Sequence, residues 1–545
     1  MAIISLLVVV GLIVALWRPW KASPIAEEKS LVLYSAAGLK LPVEKIVADY
    51  KLDYGVRVDV DYGSSGEQLT KFRATPERVD LYLAGDASYT DKAREFGLIA
   101  ETIPAARMRP VIVVHAESQA KWEAEGRPVK GPDDLLRDDV RVILANPEAA
   151  SVGQTGKNVL TRSGHWEKIE QRIRQSGAQV STVGTVNEVA QLVRLRPEHT
   201  GIVWDAVAQQ FEGLAVVEVP DWNDAVQDVT VAVASHLKGE RATAALQFAR
   251  YLTARDKGEL RFAESQYEAI PDADLWAERP EIVFMSGAML KPGIEQTIKD
   301  FEDREGVKIN TTYNGCGILV SQMRTMRAAG DQEHFPDAYF SCDTSFMSMV
   351  QPFFAKPVTI SQNEIVMIVA KGNPKGIRSL SDLENPELKV GLGHPENSAL
   401  GALTDLMFKR LGLHEKIYAE GWRDHIVYSD AGHDLVNKAL TGALDIAVVY
   451  RSNASATPEN LQKSIDIVEI GAEEALATQP FAVGVDSNHK YLMQRFLRAI
   501  TAQTTADRFR AMGFRWVVEE PGGGESHGGA AGSSGTPSQA QPTGK

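Results

Sequence analysis

The chain of 545 residues has material for three or four compact units at roughly 100 to 200 residues each, which excludes a single small module. Its 44% apolar and 24% charged residues exclude a mostly disordered chain, and 72 acidic against 58 basic residues, a net charge of -14, repel phosphate backbones and exclude general nucleic-acid binding. The only two cysteines, Cys316 and Cys342, permit at most one disulfide and exclude a metal site of four thiolates.

From Met1 to Trp17 no residue is charged, and Ile3 to Leu16 is apolar apart from Ser5 and Gly11. As a helix the seventeen residues from Met1 to Trp17 span about 25 Å, slightly short of a hydrocarbon core of roughly 30 Å. A signal peptide suits that length, but the run ends in Trp17-Arg18-Pro19-Trp20 without a small-residue cleavage site, so residues 1–23 are expected to be an uncleaved membrane anchor. The basic residues Arg18 and Lys21 follow the run, a bias that alone places the body in the cytoplasm.

Residues 31 to 66 read as strand, loop, helix, strand. Val43, Ile46, Val47 and Tyr50 fall at the i, i+3, i+4, i+7 spacing of a buried helical stripe. Gly63-Ser64-Ser65-Gly66 stands between an expected strand near 56–60 and a helix beginning near Glu67. Hydroxyls, small residues and free backbone amides at a helix start are what a doubly negative anion needs when no lysine or arginine is at hand. The alternative is a plain strand-to-helix turn with serine as N-cap.

The same pattern returns. Leu31 to Gly66 aligns without a gap on Ile282 to Gly317, with 11 of 36 positions identical, among them Ser35, Lys40, Asp49, Gly55, Tyr62 and Gly66. Ile294, Thr297, Ile298 and Phe301 repeat the helical stripe, and Asp80-Leu-Tyr-Leu-Ala-Gly-Asp86 pairs with Asp337-Ala-Tyr-Phe-Ser-Cys-Asp343. The expected organisation is a unit over 31–275 and a second over 281–518, joined near Ala277 to Pro280. Strands alternating with helices make the class α/β with mainly parallel sheets. The segment 521–545 is Gly, Ser, Pro, Gln and Thr with few apolar side chains and is expected to be a disordered tail, His527 included as a solvated side chain.

Taken together, these repeated motifs resemble the molybdate-type periplasmic solute-binding proteins of ABC importers, over nearly all of 31–518. The resemblance implies two tandem type II periplasmic-binding-protein units, each of two α/β lobes with a hinge and a cleft that closes on an oxyanion such as molybdate or tungstate. Arg109 to His115 and Glu364 to Ala370 resemble the strands that enter the second lobes. The implied ligand positions are Gly38, Ser64, Ser65, Gly66, Val152 and Trp204 in the first unit, and Met289, Cys316, Gly317, Leu400 and Tyr450 in the second. Val152 and Leu400 precede the glycine of the turns Pro147 to Gly153 and Pro395 to Gly401. The chain departs from the family at several of these positions: Gly38 and Met289 stand where the family has a serine, Gly315 and Cys316 where the first unit has Ser64 and Ser65, and Trp204 where the second unit has the family's tyrosine, Tyr450. Lys40 and Lys291 either add charge beside the degenerate loop or cap a solvated face. Trp204 either stacks on a ligand or fills the hinge.

The resemblance further implies an ABC permease as partner, a small oxyanion as ligand and an extracytoplasmic body tethered through the N-terminal segment, against the charge bias noted above. No cofactor is expected, and no P-loop, Gly-x-Ser-x-Gly or His-Glu-x-x-His motif suggests catalysis. Two other readings stay open: a degenerate membrane-tethered scaffold or sensor that uses the same fold for protein contacts, and ferric-ion capture, for which no cluster of Tyr, His or carboxylate ligands stands at the matched positions. In this fold the Cys316 and Cys342 loops follow neighbouring strands, and the two are either a disulfide or separate buried thiols. Either way sulfur is a weaker donor than a hydroxyl, and the second unit is expected to bind an oxyanion more weakly than the first.

Overall fold

The computed structural model describes residues 30–174, 180–396, 398–418, 425–455 and 462–518; the expected anchor and tail, with His527, lie outside the described residues. The described chain forms two compact bodies. One runs to Pro357 and takes back Phe481–Ile500; the other comprises Val358–Pro480 and continues from Thr501. The first body thus holds the whole first repeat and the opening part of the second.

In the first repeat, β1 (Leu31–Ala36) leads through a short 3-10 turn (Ala37–Leu39) into α1 (Lys40–Tyr54). The stripe expected on this helix is the one it buries, with Val43, Ile46 and Tyr50 inside, and Gly55 at φ 73° ends it in the left-handed conformation that glycine adopts without strain. The next strand, β2 (Val58–Gly63), lies further along the chain than the sequence suggests, and α2 (Ser65–Ala74) begins earlier. The cause is register: β1 pairs with β2 in parallel from Leu31↔Val58 to Ala36↔Gly63, so the strand runs on until Ser64 caps the helix. With β3 (Leu81–Ala84), β4 (Ile99–Met108) and β10 below, these strands form a five-stranded sheet in the order β2-β1-β3-β10-β4. β5 (Pro110–His115) then enters a second sheet, as the sequence suggests. That sheet, ordered β7-β6-β8-β5-β9, contains β6 (Arg141–Ala145), β7 (Val180–Val183), β8 (His199–Trp204) and β9 (Leu214–Val217), flanked by α3 (Ser151–Arg162) and α4 (Val186–Leu195). β10 (Gln227–Ala234) returns antiparallel to the first sheet and is followed by α5 (Gly239–Thr253). Two lobes joined by crossing strands result.

The second repeat begins identically, with β11 (Glu281–Gly287), α6 (Lys291–Glu305), β12 (Lys308–Asn314), α7 (Cys316–Ala329) and β13 (Ala338–Phe340). β11 pairs in parallel with β12 and β13, and Ala338–Phe340 pairs antiparallel with Phe481–Val483. The second body is built on β14 (Val358–Ala370), which is antiparallel to β17 (Ile446–Tyr450), β18 (Ile465–Glu469) and β19 (Arg515–Trp516). There β15 (Val390–Gly393) lies parallel to β16 (Ile426–Ser429) and β17, and α8 (Ala399–Arg410) follows β15.

Within the first body the repeats share a charged seam. Fully buried Glu305, at the end of α6, receives Arg495 through Nε at 3.1 Å and Nη2 at 3.0 Å, and Arg250 of α5 through Nη1 at 3.2 Å. Arg304 reaches Glu101 at 2.5 Å, and Trp276 donates its indole N–H to Tyr54 at 2.7 Å. Burial would push the Glu305 carboxyl up, but the two guanidiniums outweigh it and hold the group below the usual glutamate range. Among the described residues no helix is long and apolar enough to cross a membrane.

Candidate functional site

Between the two lobes of the first repeat lies a cavity of about 20 Å³, lined by Gly38, Ser64, Ser65, Val152 and Trp204 from the expected set, and also by Gly85, Met108, Ser151, Thr185 and Val186. Each wall is a helix start. The turn after β1 leads into α1, Ser64 and Ser65 open α2, Ala150 and Ser151 open α3, and Thr185 and Val186 open α4. The first N–H groups of a helix have no partner inside it, so four sets of backbone donors and the positive ends of four peptide-dipole arrays surround one small space. Among the described residues no charged side chain lines it.

The serines are held in defined roles. Ser64 Oγ accepts the Glu67 N–H at 3.3 Å as an N-cap, and buried Ser65 Oγ accepts the Gly85 N–H at 3.2 Å. In accepting, each hydroxyl keeps its own proton for a further acceptor. Tyr82 fixes the peptide beneath by donating to the Ser65 carbonyl at 2.7 Å; burial pushes its phenol well up, so it is a donor at neutral pH. α3 has no capping side chain, which leaves the N–H groups of Ser151, Val152 and Gly153 at its open end. Gly153 must be glycine, because a Cβ there would strike the Ala145 and Asn146 carbonyls. Trp204, 2% exposed, ends β8 against the turn. A Cβ on Gly38 would meet Val186 Cγ1 at 3.0 Å and Val207 Cγ2 at 3.3 Å, with the Trp204 ring 4.0 Å away. Apolar side chains therefore occupy the space that the expected serine would need.

Gly66 is placed differently. Its N–H donates across the cleft to the Ala149 carbonyl at 2.8 Å, so it ties lobe to lobe instead of facing the cavity. The Asn187 side chain does the same to the Ala37 carbonyl at 2.9 Å, and Thr155 reaches Asp86 at 3.4 Å. Lys40 does not enter the site; it pairs with Glu44 at 3.7 Å on an exposed face, as Lys291 does with Glu295 at 3.6 Å.

In the second repeat, Cys316 opens α7 and is disulfide-bonded to Cys342, with Cα atoms 6.2 Å apart. Both cysteines are buried, and Gly317 is the next helical residue. Met289 lies in the 3-10 turn Ala288–Leu290. Leu400, in α8, and Tyr450, at the end of β17, are buried residues of the second body. Among the described residues no group of three His, Cys, Asp or Glu side chains could hold a metal ion.

Sequence reasoning passed over Ser151 and Thr185. Thr185-Val-Asn-Glu188 is a readable capping box, confirmed by the Thr185 hydroxyl accepting from Glu188 N–H at 3.2 Å and the Glu188 carboxylate accepting from Thr185 N–H at 2.9 Å. Ser151 stands inside the quoted turn Pro147 to Gly153, two residues before its glycine.

Comparison with known proteins bears on the family. YvgL of Bacillus subtilis (strain 168), which carries the name of an ABC transporter substrate-binding lipoprotein, is 25% identical over 240 residues, 43% of this chain and 85% of that protein. The molybdate-binding protein ModA of Mycobacterium bovis is 29% identical over 177 residues, 32% of this chain and 62% of that protein. Among solved structures, the periplasmic molybdate-binding protein of Azotobacter vinelandii matches with a TM-score of 0.36 at 18% identity, covering 44% of this chain and all of that one. The sulfate-binding protein SubI of Mycobacterium tuberculosis H37Rv matches with a TM-score of 0.34 at 19% identity, covering 44% of this chain and 88% of that one. A family model matches twice, over residues 31–259 and 282–515, so the chain belongs to the bacterial extracellular solute-binding proteins of the ABC-importer type and carries their unit in tandem.

Proposed function

We propose that the first repeat captures a tetrahedral oxyanion, molybdate or tungstate, in its interlobe cavity and delivers it to an ABC permease, with the body held outside the cytoplasmic membrane by the N-terminal segment. The observation that carries this reading is the cavity. A sphere of its 20 Å³ has a radius of about 1.7 Å for the centre of a water-sized group and about 3 Å when the group's own ~1.4 Å is added. That is the outer size of a tetrahedral oxyanion; an amino acid or a sugar is larger. Donors there are amides and hydroxyls alone, an arrangement that binds a fully deprotonated dianion. A protonated phosphate would also need an acceptor, and among the described residues no carboxylate lines the space. Calorimetric titration of the purified chain with molybdate, tungstate, sulfate and phosphate tests the reading: one tight site for molybdate or tungstate supports it, and no heat with any of the four ends it.

A second reading applies to the second repeat. Its cystine takes the place of the Ser65 hydroxyl, so this repeat lacks one of the hydroxyl donors that the first repeat's cavity adds to its backbone amides. We infer that this repeat serves as a tethered scaffold or sensor for protein contacts and not as a second oxyanion receptor. Stoichiometry decides: one anion per chain supports this, two oppose it.

A further inference from the structure

The turn between β1 and α1 supplies its amides to the cavity, and within the turn the Lys40 N–H already donates to the Ala37 carbonyl. Two distant side chains hold what this bond leaves: one takes the Gly38 carbonyl and the other adds a second donor to that of Ala37. The Gly38 carbonyl would be satisfied inside α1 by the N–H four residues on, but that residue is Pro42, which has none. Tyr267 supplies the missing bond, with its hydroxyl donating to the Gly38 oxygen at 2.6 Å. Its ring is 4% exposed and packed edge-on against Phe262 at 5.5 Å, so the hydroxyl has little freedom. Burial pushes its phenol up and keeps the proton in place, and Gln210 of the second lobe hydrogen-bonds to it. The preceding carbonyl, of Ala37, accepts from Asn187 Nδ2 at 2.9 Å, and Asn187 belongs to α4 of the opposite lobe.

A trans peptide sets its C=O and the N–H of the following residue in opposite directions. Holding the Ala37 and Gly38 oxygens away from the cavity therefore aims the N–H groups of Gly38 and Leu39, both residues of its wall, toward it. We propose that Tyr267 and Asn187 are positioning residues for the anion: Tyr267 presets the Gly38 turn in either state of the cleft, and Asn187 completes it only on closure. This rests on the oxyanion reading of the same cavity. The second repeat has Gly293 in the place of Pro42, with an N–H of its own, so the need for such a hydroxyl is particular to the first repeat.

The test is calorimetry and stopped-flow release of molybdate from the full chain. Tyr267→Phe removes one oxygen and leaves the ring, and is expected to weaken affinity about tenfold, mostly through faster release. Adding Pro42→Ala to that variant returns a backbone N–H to the Gly38 carbonyl and is expected to restore most of the affinity; a residue that only stabilised the fold would show no such rescue. Asn187→Ala is expected to lower affinity by a similar factor. Unchanged molybdate affinity in Tyr267→Phe beside normal binding by the unmodified chain overturns the inference alone. Absence of binding by the unmodified chain overturns both it and the reading beneath it.

Discussion

The sulfur of Cys316 accepts the backbone N–H of Cys342 at 3.0 Å, in the position where Ser65 Oγ accepts the N–H of Gly85 at 3.2 Å in the first repeat. The disulfide is thus laid over a hydrogen bond that the fold makes in either copy. It joins α7 to the loop after β13, the two segments whose counterparts in the first repeat form one wall of the cavity.

Removing that bond should cost stability and not shape. With the cysteines 26 positions apart in the chain, chain entropy puts the effect at about 3.5 kcal/mol. The double variant Cys316→Ser with Cys342→Gly restores the pairing of the first repeat, and its urea midpoint should fall accordingly. A midpoint equal to that of the unmodified protein would show that the cystine does not constrain the unfolded chain.

Replacing Ser64 and Ser65 together by Ala should weaken molybdate binding at least tenfold, about 1.4 kcal/mol or more. It should also cost roughly 1 kcal/mol of stability through the lost N-cap. Titration and thermal melting on the same sample separate the two effects. Unchanged affinity would place the anion elsewhere.

Gly66→Ala addresses closure without touching the cavity wall. A Cβ there would lie 2.6 Å from the Ala149 oxygen, against backbone that cannot turn away. The variant is expected to fold normally, to remain more open in solution scattering with ligand present, and to release anion several-fold faster. A scattering profile identical to that of the unmodified protein would show that the lobes close by another route.

Glu305→Gln should be severe, on the order of 3 to 5 kcal/mol, because it leaves two buried guanidiniums facing an uncharged amide. Acid dependence gives a finer test. The folded carboxyl titrates below its ordinary value of 4.5, so its contribution is complete above that range and is lost as pH falls through the lower folded value. The unmodified protein should therefore lose stability on the acid side, and the Gln variant should show a flatter acid limb. Asp274, pushed up chiefly by burial, works in the opposite sense, since its contribution is lost as pH rises.

The first repeat and the opening part of the second should resist separation. Leu275 N–H bonds to the Asn488 carbonyl at 2.9 Å, and Trp276 packs against Tyr251 at 5.1 Å. Protease cleavage near Glu278 should leave the two fragments associated through gel filtration at neutral pH. Dissociation on nicking would mean that the seam is weaker than its burial implies.

Local periodicity carried the sequence reading well where a residue's fate depends on near neighbours. The stripe at Val43, Ile46 and Tyr50, its copy at Ile294, Ile298 and Phe301, and the serine cap at the start of α2 all follow from spacing within a turn or two. Contacts between segments far apart were out of reach. Nothing near Glu305 announces that its partners are Arg250 and Arg495, and Tyr267 stands 229 residues from the carbonyl it serves. The resemblance implies that Gly66 is a ligand position, but its amide is taken by a carbonyl of the other lobe, which no local spacing shows.

Gly287 bears on how the two copies diverged. It aligns with Ala36, and a Cβ in its place would lie 2.5 Å from Cys342 Sγ and 3.0 Å from Cys316 Sγ. A lone cysteine at the Ser65 position keeps an acceptor for the neighbouring amide, so that change is tolerable by itself. A second cysteine opposite it needs the alanine methyl gone first. The cystine therefore cannot be transplanted by its two sulfurs alone. Installing it in the first repeat takes Ala36→Gly together with Ser65→Cys and Gly85→Cys.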